Sequence, residues 1–336
     1  MKQQFSYLPA VLTFFAAKTL RLAILLAVVA TFSFVLVSNS PVDPVDAYIG
    51  NDMVKISPEQ RALIAERWGM DKPPLERFII WAGRLASGDF GISSIFNEPV
   101  IAVIGKRFAT SIWLMALAWS ISGILGYILG IAAGIRQGSW LDKAISLYAY
   151  TMASTPTFWV GMVLLTIFSV QLGWTPVCCA WPPGSGPEQV TLLERLHHLI
   201  LPALTLSLIG AAQITMHTRE KTVEAMHSEY ALFALAQGEK LSGLIMHHIA
   251  RNVALPAVTL QFASLGELFG GAVLAEQVFT YPGLGRATVE AGIKGDVPLL
   301  LGIVIFSTIF VFTGNTLADL IYRIVDPRMR ERGSLT

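Results

Sequence analysis

Residues 228–256 read SEYALFALAQGEKLSGLIMHHIARNVALP. Ser228 is a favourable helix N-cap, and Glu229 beside it suits the positive end of a helix. Gly238 is expected to stop that helix in the left-handed conformation. Ser242 is expected to cap a second short helix, with Ile245 and Ile249 on one face. Leu255-Pro256 then opens a long apolar run, proline being tolerated in a first helical turn. The stretch therefore reads as two short helices between two membrane-crossing segments. It is either a plain connecting loop or a docking surface for a soluble partner.

Composition supports the membrane setting. The chain has 336 residues, 54% of them hydrophobic and only 14% charged, with mean hydropathy +0.59. Apolar runs of about 20 residues suffice to cross a bilayer, and several are present. The fold class is an all-α integral membrane protein. A net charge of +1 gives no reason to expect a nucleic-acid partner. The two cysteines, Cys178 and Cys179, are adjacent and provide no disulfide framework.

Working outward, Lys18 and Arg21 precede an apolar run from Leu22 to Val37. The run is long for a signal-peptide core and ends in Val-Ser-Asn-Ser without a clear small-x-small cleavage site. It reads as an uncleaved first span, residues 1–38 forming an inside tail plus that span. Residues 39–107 are polar, with proline-spaced segments Pro41-Val42-Asp43-Pro44 and Lys72-Pro73-Pro74. A short helix is expected from Glu59 to Trp68, and an amphipathic one around Phe78, Ile79, Trp81 and Leu85. Residues 108–325 hold five further spans. The second runs from Ala109 to Ile135, with Gly126, Gly130 and Gly134 on one face, a spacing that lets another helix approach closely. The third runs from about Ile145 to Leu172 and contains Pro156, so a kink or break is expected. The fourth opens at Leu201-Pro202 and ends near His217. The fifth covers about Ala257 to Phe279, followed by an outside turn at Tyr281–Arg286. The sixth covers Pro298 to Ile321, and residues 326–336 form a tail.

Charge distribution orients these spans. Lys2, Lys18, Arg21, Arg136, Lys143, Arg219, Lys221, Lys240, Arg251, Arg323, Arg328, Arg330 and Arg332 fall on one side. The short loops on the other side carry Arg195, Arg286 and Lys294. The positive-inside rule then favours six spans with both termini cytoplasmic. Lys106 and Arg107, at the mouth of the second span, run mildly against that orientation. The long segment after span one, residues 39–107, is then expected outside, and the loop 219–252 between spans four and five inside.

The ordered set Glu229-Tyr230, Ala234, Ala236, Gly238, Arg251-Asn252 and Leu255-Pro256 resembles the cytoplasmic loop of ABC-importer permeases. The subgroup it resembles is the dipeptide, oligopeptide and nickel permeases. Further matches are Ser87-Gly88-Asp89-Phe90-Gly91-Ile92-Ser93, Gly138–Asp142, Leu172-Gly173-Trp174, Leu201–Thr205, Gly270–Leu274, Glu276, Val278-Phe279, Tyr281–Arg286, Asp319-Leu320 and Asp326-Pro327-Arg328. Basic residues usual in the subgroup are replaced here by Leu232, Leu235 and Gln237. The resemblance implies a bacterial inner-membrane permease subunit forming half of a translocation pathway for peptides or a related small solute. A nickel or metal-chelate cargo is the alternative within the same architecture. It implies a second homologous permease subunit, two ATPase subunits, a periplasmic solute-binding protein and membrane lipid as partners, and no cofactor. It makes Glu229, Tyr230, Ala234, Ala236, Gly238, Arg251 and Asn252 the ATPase-coupling residues.

No G-x-x-x-x-G-K-[ST] phosphate loop occurs, so the chain is not expected to bind ATP, and no catalytic residue is expected. A secondary transporter driven by an ion gradient is a distant alternative; its usual inverted repeat and paired intramembrane charges are not evident. Polar residues within spans are the pathway candidates: Gln213, His217, Gln261, Glu267 and Asn315. Each is also readable as a helix-to-helix hydrogen bond, and for the amides Gln213, Gln261 and Asn315 that is the favoured reading. Adjacent helical residues point about 100° apart, so neither His197-His198 nor His247-His248 is expected to clasp one metal ion.

Overall fold

The computed structural model describes residues 7–39, 57, 59, 63, 72–182, 184–186 and 188–325. The segment Pro41–Pro44, most of the expected helix from Glu59 to Trp68, and the tail from Asp326 lie outside the described residues. The elements are α1 (Tyr7–Ser38), α2 (Pro74–Ala86), α3 (Val100–Ile135), α4 (Trp140–Ala153), α5 (Thr157–Gln171), α6 (Leu192–Met226), α7 (Glu229–Ala236), α8 (Leu241–Ala263), α9 (Leu265–Val278), α10 (Leu284–Ile293) and α11 (Val297–Val325). Among the described residues the only β feature is an isolated bridge between Ile92 and Pro99. Helices α1, α3, α6 and α11 are each long and apolar enough to cross a bilayer. Six crossings result if the bent pairs α4–α5 and α8–α9 each count as one.

Several expected boundaries move. The fourth span does not open at Leu201-Pro202. Its helix starts at Leu192, behind a capping box in which Thr191 and Glu194 satisfy each other's backbone N–H groups. Pro202 is carried inside α6, buried with Leu201 and Ala203, so packing offsets the lost backbone bond. Ser242 is not a cap: α8 begins at Leu241 behind Lys240 and passes through a π-helical turn, Leu244–Ile249. Pro256 is therefore interior to α8, where Val253, Ala257 and Gln261 bury one stripe at every fourth position. The expected fifth span is two helices, bent by 53°. At that break the Gln261 carbonyl accepts from Trp119 Nε1 and from the Ser264 hydroxyl, both at 3.0 Å. Side chains inserted into the ladder in this way are a known source of bends. Pro156 does more than kink the third span: α4 and α5 meet at 110°, as expected where the residue before proline is pushed out of the α region.

The chain divides into two compact units. The first comprises Met1–Phe108 and Ala287–Thr313. Here Phe34 of α1 meets Phe78 and Trp81 of α2 at ring distances of 5.2 and 5.7 Å, while Ile79 lies on the opposite, exposed face. Asp296, fully buried, binds two segments at once. It accepts from Leu299 N at the start of α11 (3.1 Å), from Ser93 Oγ (2.5 Å) and from Ile95 N (3.0 Å). The Ser87–Ser93 stretch is a turn built by Gly88 and Gly91 at positive φ, with Asp89 accepting from Gly91 N.

The second unit comprises Ala109–Arg286 and Gly314–Thr336 and is organised around α6, which packs against α4, α5, α7, α8 and α9. The glycine stripe of α3 serves that packing. A Cβ on Gly126 would lie 2.7 Å from Ile214 Cβ, and Gly130 and Gly134 are equally close to Thr218 and Thr222.

Candidate functional site: the loop between α6 and α8

The loop is built from its caps. Ser228 accepts from Ala231 N, and Glu229 sits in the first turn of α7. At the other end Gly238 has φ +84. Its N–H reaches the Leu235 carbonyl at 3.0 Å, and Glu239 N reaches the Ala234 carbonyl at 3.1 Å. This is the paired bonding of a Schellman motif, which needs a residue free to go left-handed.

The inner side of α7 is small. Ala231 and Ala234 pack with Ala225, Leu244, Ile249 and Val253, against Tyr127 and Met226. The Tyr127 hydroxyl donates to the Ala250 carbonyl at 2.6 Å. These contacts tie α7 to the ends of α6 and α8. The outer side is large and apolar: Phe233 is 65% exposed, and Leu232, Leu235, Tyr230 and Met246 are exposed with it. Of the seven sequence candidates, Ala234 faces inward. Glu229, Tyr230, Ala236 and Gly238 are exposed along α7 and its end, and Arg251 and Asn252 are exposed on α8 beside buried Val253. Of the seven, only Ala234 belongs to the buried cluster that joins α7 to α6 and α8. α7 is thus apolar on its outer as well as its inner face.

The two adjacent histidines of this loop meet one partner. His248 Nε2 lies 3.2 Å and His247 Nδ1 3.9 Å from the Glu239 carboxylate. Gly243 makes the room, since a Cβ there would come within 2.9 Å of that carboxylate. Among the described residues no cluster of three or more His, Cys, Asp or Glu is arranged to hold a metal.

Behind the loop, two charges missed in the sequence lock α4 to α6. Arg219 binds the buried Asp142 carboxylate with two nitrogens, Nη2 at 2.8 Å, and Gly138 N adds a third bond at 2.8 Å. Such bidentate pairs fix orientation as well as charge. Ser139 caps α4, so Asp142 at its N3 position was legible as a helix-start residue, but a partner 77 positions away was not. Glu276 is a further buried carboxylate, taking the Ser111 hydroxyl at 2.5 Å and Arg286 N at 3.0 Å, while Ser111 accepts from Leu284 N. The turn Tyr281–Arg286 is packed rather than solvent-exposed: Tyr281 is 2% exposed, and a Cβ at Gly283 would collide with Glu276. Burial first, then the Glu276 charge, hold the Tyr281 hydroxyl well above the usual tyrosine value, so it stays neutral.

The pathway candidates are dispersed. Gln261 is buried and clamps α3, its Nε2 donating to the Trp119 carbonyl at 2.6 Å and to Ser122 Oγ at 3.2 Å. Gln213 is half-buried on α6, and His217, Glu267 and Asn315 are exposed. No hydrogen bond between any two of the five occurs among the described residues. Glu267 stands in the first turn of α9, just past the break at Ser264, where the positive helix end favours a carboxylate.

Comparison with known proteins matches this architecture. Residues 126–331 fit the family model described as the binding-protein-dependent transport system inner membrane component. The oligopeptide transport system permease protein AppB of Bacillus subtilis is 31% identical over 306 residues, covering 90% of this chain and 94% of its own. The di/tripeptide transport system permease protein DppB of Pseudomonas aeruginosa is 31% identical over 320 residues, covering 90% and 94%. Among solved structures, the inward-facing MetNI methionine ABC transporter superposes with a TM-score of 0.53 at 14% identity, over 67% of this chain and 97% of that one; this is a likeness of fold. The chain belongs to the family of binding-protein-dependent transport system inner-membrane components, the multi-pass permease subunits of bacterial ABC importers, which lack an ATPase site of their own.

Proposed function

We propose that this permease subunit forms half of a peptide-translocation pathway, with a second homologous permease subunit completing it. Two ATPase subunits dock from the cytoplasm, a periplasmic binding protein delivers the peptide, and lipid surrounds the outer faces. The bent pairs α4–α5 and α8–α9 are each taken as one span, which makes six, with both termini cytoplasmic in line with the excess of Lys and Arg on that side. In this reading the segment between α1 and α3 is periplasmic. Peptide cargo is supported by the oligopeptide and di/tripeptide names of relatives that align with nearly the whole chain.

The observation that carries the coupling role is α7 itself. It is a capped helix, anchored on its small face to α6 and α8, with Tyr230, Leu232, Phe233 and Leu235 left exposed. ATP binding closes the ATPase pair, α7 passes that displacement to α6 and α8 as a rigid-body tilt, and hydrolysis resets it. The cycle is alternating access between two global states. Gln213, His217, Gln261, Glu267 and Asn315 are the pathway candidates, Gln261 having the strongest structural role. The test is reconstitution with the cognate ATPases and binding protein in proteoliposomes. ATP-dependent uptake of a labelled di- or oligopeptide is expected. Uptake of Ni²⁺ or a metal chelate without peptide would overturn the cargo, and failure of any ATPase to copurify would overturn the architecture.

A further inference from the structure

The segment 173–182, between α5 and α6, contains the two cysteines, and they are bonded to each other. A bond between neighbours bridges no distant parts of the chain. It closes a small ring around one peptide unit and freezes that dipeptide. Here Cys179 is held at φ +77, a region that non-glycine residues seldom occupy. The same dipeptide carries two anchors of the segment. Cys179 N donates to the Phe279 carbonyl at the end of α9, at 2.9 Å. The Cys178 carbonyl accepts from His198 Nδ1 near the start of α6, at 3.0 Å. Other anchors bypass it: His197 Nε2 to the Trp174 carbonyl, and Ser169 to Thr175 and to the Pro176 carbonyl.

We propose that the Cys178–Cys179 bond is a redox-set latch that staples the ends of α6 and α9 through this segment, and that thiol–disulfide exchange opens it. The inference rests on the periplasmic placement of the segment under "Proposed function", because disulfides persist in oxidising compartments. In closing, the two thiols give up two protons and two electrons to an external disulfide, R–S–S–R, which leaves as two R–SH. Opening is the reverse: a thiolate attacks one sulfur, forms a mixed disulfide, and a second thiol releases it. Once the ring is open, the covalent constraint on Cys179 at positive φ is gone, and the bonds to Phe279 and His198 are released with it. The remaining anchors keep the segment folded on α5 and α6.

The test uses the full chain in its assembled complex, purified without reductant. Alkylation under denaturing conditions is expected to leave Cys178 and Cys179 unmodified unless the protein is first reduced. Both thiols being alkylated without reduction would overturn the latch. Within the peptide covering 173–182, exchange of the amide at position 179, the donor to the Phe279 carbonyl, is expected to quicken about fivefold on reduction, the factor for one hydrogen bond. The Cys178→Ser/Cys179→Ser variant is expected to exchange like the reduced protein and to ignore reductant. Equal exchange in the oxidised and reduced protein would also overturn the latch. Sidedness is read separately: an impermeant reductant and maleimide should reach the pair in intact spheroplasts. Labelling only after lysis would overturn the periplasmic placement, while the purified complex still decides the latch.

Discussion

Replacing Gly238 by valine isolates the end of α7. No atom lies within 4 Å of a Cβ built at Gly238, so a larger side chain meets open space. The whole cost is therefore in the backbone, which must hold φ +84. A β-branched residue there costs about 2 kcal/mol, a factor of about 30 in the local equilibrium. The strain is relieved by giving up the Gly238–Leu235 and Glu239–Ala234 bonds, which frees the end of α7 and shifts the exposed side chains of Tyr230–Leu235. Asparagine tolerates the left-handed region, so Gly238→Asn should retain most function. The assay is ATP-driven peptide uptake in membrane vesicles, with ATPase copurification and membrane content of the chain measured in parallel. Gly238→Val should insert normally, yet lose ATPase association or coupled uptake, while Gly238→Asn stays close to wild type. Normal uptake and normal ATPase copurification by Gly238→Val would refute the assignment of this loop to coupling.

Three further predictions follow from the same geometry. Asp142→Ala removes the hydrogen-bonded partner of the partly exposed Arg219 and should cost about 2 kcal/mol, the loss typical of a hydrogen bond to a charged group; an unchanged unfolding midpoint in detergent would show that the α4–α6 lock is dispensable. In a Cys178→Ser/Cys179→Ser background, Gln60→Cys should react with an impermeant thiol reagent in intact spheroplasts and Lys240→Cys only after lysis, and the opposite pattern would invert the topology. Glu267→Gln removes a charge that costs about 2.5 kcal/mol or more within a bilayer on insertion scales; uptake of cationic peptides should fall while basal ATPase activity and assembly persist, and equal uptake of cationic and neutral peptides would remove Glu267 from cargo selection.

Local chemistry was legible in the chain. Ser228 and Gly238 delimit α7 because a cap hydroxyl and a positive φ are properties of a few adjacent residues. The Gly126, Gly130 and Gly134 stripe declared a close helix contact because its register is a helix period. Long apolar runs announced the membrane, and the ordered motifs announced the family. What the chain did not disclose depends on partners distant in sequence. Pro202 and Pro256 look like helix starts, yet both lie inside helices, since burial of their neighbours outweighs one missing hydrogen bond. The break at Ser264 needs Trp119 from α3. Asp142 needs Arg219, Glu276 needs Ser111, and Asp296 needs Ser93. A sequence specifies a buried carboxylate's identity, but only the packed structure decides which donor stands within 3 Å of it, and a buried charge persists only where such a donor is found.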